Sequence, residues 1–386
     1  MRTIAVVTVA RSDYGILMPV LREIERRDDL RLALVVGGMH LAPEFGYTAA
    51  DIEADGFAIS ERVEMSLASD TRIGTATSIG LGVIGFANAF NRIAPDLIVL
   101  LGDRFEMHAA ALAALPLGIP VAHIHGGEVT EGAFDESLRH GISKIAHLHF
   151  VSTEEYGQRL RRMGEEPWRI TISGAPSLDN LESLTLLTRD ELAKNIGIPL
   201  SEHPLLITWH PATLTLERSE QQLEALLAAL VKAAEQLIFT APNADPSGRR
   251  AHQRIAEFVA THRDAYLVEN LGTLRYFSLM KLAGAMIGNS SSGIIEAASF
   301  ELPVVNVGPR QNGRTRAINV IDVPDDEDSN AITTAIAKAR SSEFRSELQG
   351  MTNPFGTGLA ARIIVDRLAN CPLDARLRAK KFFDGE

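Results

Sequence analysis

The stretch from Leu97 to Lys144 holds the residue types that proton-transfer chemistry needs, beside the glycines that let a ligand come close. An apolar run, Leu97 to Leu101, stops at Gly102-Asp103-Arg104, and a second, Ile119 to Ile124, stops at His125-Gly126-Gly127-Glu128. Asp135, Glu136, Arg139 and His140 follow within a turn or two of helix. Carboxylates and imidazoles crowded together are pushed to different pKa values, so one can act as acid while another acts as base. An arginine among them can steady a departing anion. In an open parallel sheet, ligands bind just beyond the carboxyl ends of the strands. Asp103, Arg104, His125 and Glu128 are therefore expected to face one crevice.

The elements that must position these groups follow from hydrophobic periodicity. Ile4 to Ala10, Leu32 to Val36 and Phe57 to Val63 read as strands, and Ile16 to Arg26 and Thr71 to Ile93 as helices. Strands at His147 to Ser152 and Arg169 to Ser173 complete about six β/α alternations, a doubly wound domain. Residues 177–200 read as a connector. The pattern then restarts, with strands at Leu205 to Thr208, Leu237 to Thr240, Ala265 to Val268, Met286 to Gly288 and Val304 to Val307. The expected architecture is α/β, two Rossmann-like domains (1–176 and 201–356) with a cleft between them. A last segment, 357–386, has the option of packing back on the first domain.

The second half repeats the placement of polar groups at strand ends. His210 follows one strand, Asn243 the next, and Arg310 a third. Gly288-Asn289-Ser290-Ser291-Ser292-Gly293 joins a strand to a helix, with Glu296 one turn on. Ser and Asn cap helices in any protein. They also donate to phosphate at a helix start. Arg310 could neutralise a diphosphate, and Glu296 could accept from ribose hydroxyls. Near the N-terminus, Arg11 and His40 sit at the first two strand ends.

Composition narrows the class. The chain has 386 residues, a net charge of −11, 46% apolar and 23% charged residues, which disfavours a general nucleic-acid or membrane-surface binder. The first apolar run is too short for a membrane span. The single Cys371 excludes an internal disulfide and fits the cytoplasm. No GxGxxG follows the first strand, which disfavours a dinucleotide cofactor. His123, His125, Glu128, His140, His147 and His149 cluster in sequence, but no His-Glu-x-x-His pattern is present. His123 and His125 are expected on the same side of one strand, in acid–base work and not as metal ligands, and His147 and His149 as structural residues.

The combination GDRFE, HIHGGE, DESLRH, HP after a strand, PNAD, GNSSSGIIE and GPRQNGR, together with VARSDYG, resembles the hydrolysing UDP-N-acetylglucosamine 2-epimerases. The likeness is greatest to the bacterial branch that feeds sialic and other nonulosonic acids, and it spans nearly the whole chain. It implies a glycosyltransferase-B-type fold, a UDP-sugar substrate, no cofactor, and a homodimer or homotetramer. It matches Arg11, Arg104, His210, Asn243, Ser290, Ser291, Glu296 and Arg310 to nucleotide-holding positions. Asp103, Asp135, Glu136 and Arg139 match positions in the chemistry. Many relatives carry Glu where this chain has His125, so His125 or Glu128 takes over that carboxylate's work.

The implied reaction expels UDP from C1, removes the C2 proton to leave a glycal, then adds water at C1 and a proton at the opposite face of C2. It requires an acid, a base and stabilisation of the diphosphate. UDP-N-acetylglucosamine is the expected substrate, with UDP-N,N'-diacetylbacillosamine the alternative. A glycosyltransferase would need fewer acid–base groups than 103–140 supplies. A nucleotide-sugar sensor would not need Asp103 or Asp135.

Overall fold

A computed structural model of the chain describes residues 1–43, 46–67, 71–130, 134–211, 216–233, 235–242, 246–324 and 327–385. The strands are β1 (Arg2–Thr8), β2 (Leu30–Gly37), β3 (Ile59–Val63), β4 (Leu97–Leu101), β5 (Val121–Ile124), β6 (Leu148–Val151) and β7 (Ile170–Ile172) in a first sheet. A second sheet holds β8 (Leu205–Thr208), β9 (Leu237–Thr240), β10 (Ala265–Val268), β11 (Ala285–Gly288), β12 (Val304–Val307) and β13 (Val320–Val323). The helices of the first half are α1 (Arg11–Glu25), α2 (Ala49–Ala54), α3 (Arg72–Ile93), α4 (Phe105–Ala114), α5 (Asp135–Ile145), α6 (Glu154–Arg162) and α7 (Asp179–Ser183). Those of the second are α8 (Arg189–Ile196), α9 (Leu216–Ala233), α10 (Pro246–Thr261), α11 (Gly272–Leu282), α12 (Ser291–Ile295), α13 (Ser329–Arg340), α14 (Ser342–Glu347), α15 (Ala360–Asn370) and α16 (Ala375–Arg378).

Every strand pair is parallel. The first sheet runs β3-β2-β1-β4-β5-β6-β7 and the second β10-β9-β8-β11-β12-β13. Parallel strands covered on both faces read as unbroken apolar runs; β4, Leu-Ile-Val-Leu-Leu, is buried at all five positions. In each sheet the order reverses once, beside β1 and β4 in the first and beside β8 and β11 in the second. Those reversals open a crevice at the strand ends.

The chain divides into two compact units. The first gathers residues 1–128, 134–180 and 355–386; the second takes 181–354 and the short stretch that begins at Val129. Within the segment expected to be a connector, apolar side chains pack on the core of the second unit. Leu192 and Ile198 are buried in the second unit, and Leu181, Leu184, Leu186, Leu187 and Leu200 pack against the same cluster. Thr188 caps α8 in a capping box with Glu191, and Gly197 ends it in the left-handed conformation. The chain's last segment belongs to the first unit: Ala360, Ala361, Ile364, Val365, Leu368 and Leu377 join its core.

By length and hydropathy α3 could cross a membrane (22 residues, best-window mean hydropathy 1.4). Here Ser78, Gly82, Phe86, Ala89 and Phe90 turn into the first unit, and Phe86 stacks on Phe90. Ile73, Leu81 and Ile84 lie on its exposed side.

Candidate active site

In the first unit, β4, β5 and α5 bring one acid–base cluster together. Arg139 is 2% exposed and forms an ion pair with Asp103, from the turn after β4. The same guanidinium reaches Glu136 at 3.4 Å, and Glu136 holds His140 Nε2 at 3.0 Å. Burial opposes the charge on Arg139, but Asp103, Glu128 and Glu136 outweigh it and hold the guanidinium above its ordinary range. Asp135 opens α5, where the helix dipole favours a carboxylate. Burial and then the nearby Asp103 charge nevertheless raise its pKa to about 6.

His125 lies just past the end of β5 with φ +64, a left-handed conformation that a non-glycine residue adopts only where its surroundings impose it. It therefore does not share a strand face with His123, contrary to the expectation from alternation. Its Nδ1 meets Glu128 Oε1 at 2.5 Å and Ser152 Oγ at 3.0 Å, and Ser152 Oγ also donates to Glu128 at 3.3 Å. All three residues are buried. The turn that folds Glu128 back onto His125 passes through Gly127 at φ +74, where a Cβ would lie 2.4 Å from the Tyr156 carbonyl. Glu128 and Ser152 fix one ring nitrogen, and among the described residues no hydrogen bond reaches Nε2. The two residues that the sequence left as alternatives are thus joined to each other, an imidazole with a carboxylate behind it.

His123 is a structural link. Its Nε2 donates to the Gly102 carbonyl at 2.7 Å and its Nδ1 accepts from Ser143 Oγ at 3.0 Å, while burial pushes its pKa down to about 3. His149 is fully buried against Glu165, as a structural histidine should be. Among the described residues no group of three His, Cys, Asp or Glu could hold a metal ion.

Two further expected contacts lie at the β1 and β2 ends. Arg11 opens α1 and makes a 2.8 Å ion pair with Asp51, with both side chains more than half exposed. Such a pair is weak and easily exchanged for another anion. His40 is buried with Nε2 3.0 Å from Thr8 Oγ1 and Nδ1 2.6 Å from Thr48 Oγ1. With both nitrogens in contact with threonine hydroxyls, it braces the β1 end. Arg104 lies at the adjacent β4 end and is held by Glu106 at 2.9 and 3.2 Å.

The second unit builds its polar edge around Asn289. Asn289 Oδ1 accepts from the His210 backbone at 2.7 Å and its Nδ2 donates to the His210 carbonyl at 2.8 Å, which ties the β8 and β11 ends together. Arg310 Nη1 and Gln311 Nε2 both donate to the Asn289 carbonyl, at 2.9 and 2.8 Å. Gly288 makes this approach possible: at φ +138, a Cβ there would sit 2.0 Å from the Thr208 carbonyl. Ser290 caps α12, Ser291 opens it, and Ser292 Oγ bridges Ser290 Oγ and Tyr276 Oη at 2.9 and 2.6 Å. Glu296 follows the helix and is buried. Burial, and then Arg310, push His210 down to about 3, so its ring is neutral near pH 7. Asn243 lies outside the described residues.

Sequence reasoning missed Ser152, Glu106, Asn289, Gln311 and Tyr276 as parts of these clusters. Asn289 carried a signal, since it stands inside the strand-to-helix motif; the others gain meaning only from residues distant in the chain.

The family model for UDP-N-acetylglucosamine 2-epimerase matches residues 22–369. The chain is 40% identical over 347 residues to a GDP/UDP-N,N'-diacetylbacillosamine 2-epimerase (hydrolyzing) of Campylobacter jejuni, covering 89% of each chain. It is 38% identical over 379 residues to a UDP-N,N'-diacetylbacillosamine 2-epimerase (hydrolyzing) of Legionella pneumophila, covering 98% of each. Among solved structures, the UDP-GlcNAc 2-epimerase of Neisseria meningitidis bound to UDP-GlcNAc has a similar fold, with TM-score 0.81, 17% identity, and coverage of 95% of this chain and 99% of that one. With two parallel-sheet α/β units of the glycosyltransferase-B type and this extent of shared sequence, the chain belongs to the UDP-N-acetylglucosamine 2-epimerase family, in its hydrolysing branch.

Proposed function

We propose that the protein hydrolyses a UDP-2-acetamido sugar with inversion at C2, releasing UDP and the free manno-configured sugar for nonulosonic acid synthesis. The observation that carries this reading is the cluster of half-buried Asp103, Glu136 and Asp135 around the buried Arg139, beside the His125–Glu128 pair. The C1–O bond breaks and UDP leaves with the electron pair. The oxocarbenium-like centre makes the C2 hydrogen acidic. His125 Nε2, backed by Glu128, is suited to take that proton, which leaves a C1–C2 double bond. Asp135, whose pKa is raised to about 6, is suited to return a proton to the opposite face of C2 as water adds to C1. Asp103, held by Arg139, orients that water, accepts the proton the water loses as its oxygen bonds to C1, and passes it to solvent. In the first unit Arg104 is suited to an anion such as the diphosphate, and in the second Arg310 and the serines at the α12 start are suited to a phosphate.

UDP-N,N'-diacetylbacillosamine is the favoured substrate, supported by the names of the Campylobacter and Legionella relatives. UDP-N-acetylglucosamine, the default from sequence, differs at C4 and C6. Few pocket side chains need change to tell them apart. The test is an NMR time course in deuterated water with each sugar. Free UDP plus a 2-deuterated manno sugar from one of them is the expected result. An epimer still joined to UDP would overturn the hydrolytic step, and binding without turnover would turn the reading towards a transferase or a sensor.

A further inference from the structure

Asp13 is a buried carboxylate that neither the sequence reading nor the reaction above uses. It stands in the first turn of α1, directly after β1, and is 8% exposed. Its Oδ2 is buried with no hydrogen bond, and lies 4.0 Å from Arg104 Nε. Among the described residues its Oδ1 has only the Ser12 hydroxyl, at 3.4 Å. Arg104 comes from the neighbouring β4 end, so the two meet where the strand order of the sheet reverses. Glu106, itself fully buried, takes Arg104 Nη2 at 2.9 Å and Nε at 3.2 Å. Met39 Sδ lies 3.1 Å from the same Nη2. Among the described residues no hydrogen bond reaches Arg104 Nη1, and the side chain is 31% exposed.

One cation thus faces two buried carboxylates, with Asp103 a third negative charge close by. Arg104 and Glu106 neutralise each other through two hydrogen bonds. Asp13 is left with a carboxylate oxygen that nothing donates to, a costly state for a buried charge. A proton on that oxygen removes the imbalance.

We propose that Asp13 is a positioning residue that gains a proton when an anion binds the open edge of Arg104, so that binding of the diphosphate is coupled to proton uptake. This rests on the reading of Arg104 as a diphosphate contact. An anion at Nη1 adds negative charge to a cluster that already has too much, and the protonated form of Asp13 relieves it. Coupling of this kind is reciprocal: what favours the proton favours the anion. The groups that face Asp13 are Arg104, Glu106, Asp103 and Ser12. Burial raises its pKa to about 7, Arg104 opposes this, and Glu106 and Asp103 add to it. The exchange therefore falls within the working pH range.

The test is isothermal titration of UDP into the whole protein in two buffers of different ionisation enthalpy near pH 7, for the wild type and Asp13→Asn. The difference in heat gives the protons taken up. UDP's own terminal phosphate contributes equally to both proteins and cancels. We expect greater uptake in the wild type, and a UDP affinity that falls more steeply for it than for Asp13→Asn between about pH 6 and pH 8. UDP binding with equal uptake in both overturns the inference alone. Failure of the wild type to bind UDP overturns the reading of Arg104 and this inference with it. Should Asp13→Asn not fold, Glu106→Gln serves: removing that charge moves the uptake to lower pH, and an unchanged profile refutes the coupling.

Discussion

Two clusters in the first unit hold the same kinds of side chain. One surrounds Asp103, Arg139, His125 and Glu128; the other surrounds Glu165, His149, Lys144 and Lys380. In the second, Glu165 is wholly buried and gives its two oxygens to Lys144 at 2.8 Å, Lys380 at 2.7 Å and His149 at 2.9 Å. Burial pushes Glu165 up, but the bonds from His149, Lys144 and Lys380 outweigh it and bring its pKa down to about 2. Arg169 nearby is fully buried and donates to the carbonyls of Leu377, Arg376 and Ala379. Its charge is spent on holding the chain's last turns. In the first cluster the pairing is incomplete. His125 Nε2, Arg104 Nη1 and Asp13 Oδ2 each remain without a hydrogen bond among the described residues. Buried charge by itself therefore does not mark a reactive site: in the second cluster the charges pair with one another, and His149 Nδ1, which lacks a hydrogen bond among the described residues, is sealed from solvent.

Substitutions can break that contrast. Asp103→Asn and His125→Gln each remove a group suited to proton transfer and should lower kcat by about 10²–10⁴-fold; Asp103→Asn also takes the ion-pair partner from the buried Arg139 and should lower the unfolding temperature, which His125→Gln should nearly keep. Near-normal turnover in both would erase the distinction. Glu165→Gln should do the reverse. Taking the buried carboxylate from Lys380, which is largely buried, and from His149 should lower the denaturant midpoint, while the folded fraction keeps its turnover.

Glu128→Gln should lower kcat by about 10–100-fold with KM little changed, since Gln can present an amide N–H₂ to His125 Nδ1 and favour the wrong tautomer. Glu128→Asp should recover part of the loss, whereas a merely structural Glu128 would give no such rescue.

The second cluster also sets the response to acid. The folded-state pKa of Glu165, near 2, lies below its ordinary value, so its contribution is complete above about pH 4.5 and is lost as pH falls towards 2. It amounts to roughly 3 kcal/mol. His123 and His147, which burial depresses to about 3 and about 4, stay neutral in the fold but take protons when unfolded below about pH 6.5. Both effects lower stability as pH falls. Denaturant midpoints measured from pH 7 to pH 4 should decline for the wild type and less steeply for Glu165→Gln at the acid end. The smallest expected effect is that of Ser152→Ala, a loss in kcat of a few fold, since one neutral hydrogen bond is worth about 1 kcal/mol.

Much of this was legible in the sequence because central parallel strands announce themselves. The runs at Leu97–Leu101, Leu205–Thr208 and Val304–Val307 are apolar and end in glycine or polar turns, and all three form strands over those residues. α11 escaped notice because Gly-Thr-Leu-Arg-Tyr-Phe-Ser-Leu-Met-Lys-Leu has no clean polar stripe; Ser278 and Phe277 are both buried in it. β13 is short, and its Asp322 is partnered by Asn306 and Arg316, contacts that only the fold creates. Residues 181–200 looked like a linker because their leucines are scattered among polar residues, and what they cover comes from later in the chain. Asp13 shows the same limit. Its own neighbours mark it as a helix-start carboxylate, and the groups that make it unusual, Arg104 and Glu106, lie some ninety positions away in sequence.

The return of the last segment to the first unit bears on synthesis. A ribosome delivers residues 1–180 first, yet the surface that covers α1 and the carbonyls that receive Arg169 belong to residues 360–379. Lys380, which closes on Glu165 and on the Ser143 and Lys144 carbonyls at the end of α5, comes later still. The second unit, begun later, has nearly all its residues by position 354. Domains tend to fold in order as they emerge. Here the unit started first is completed only after the second has been made, and the helix that carries Asp135, Glu136 and Arg139 gains its Lys380 brace after that.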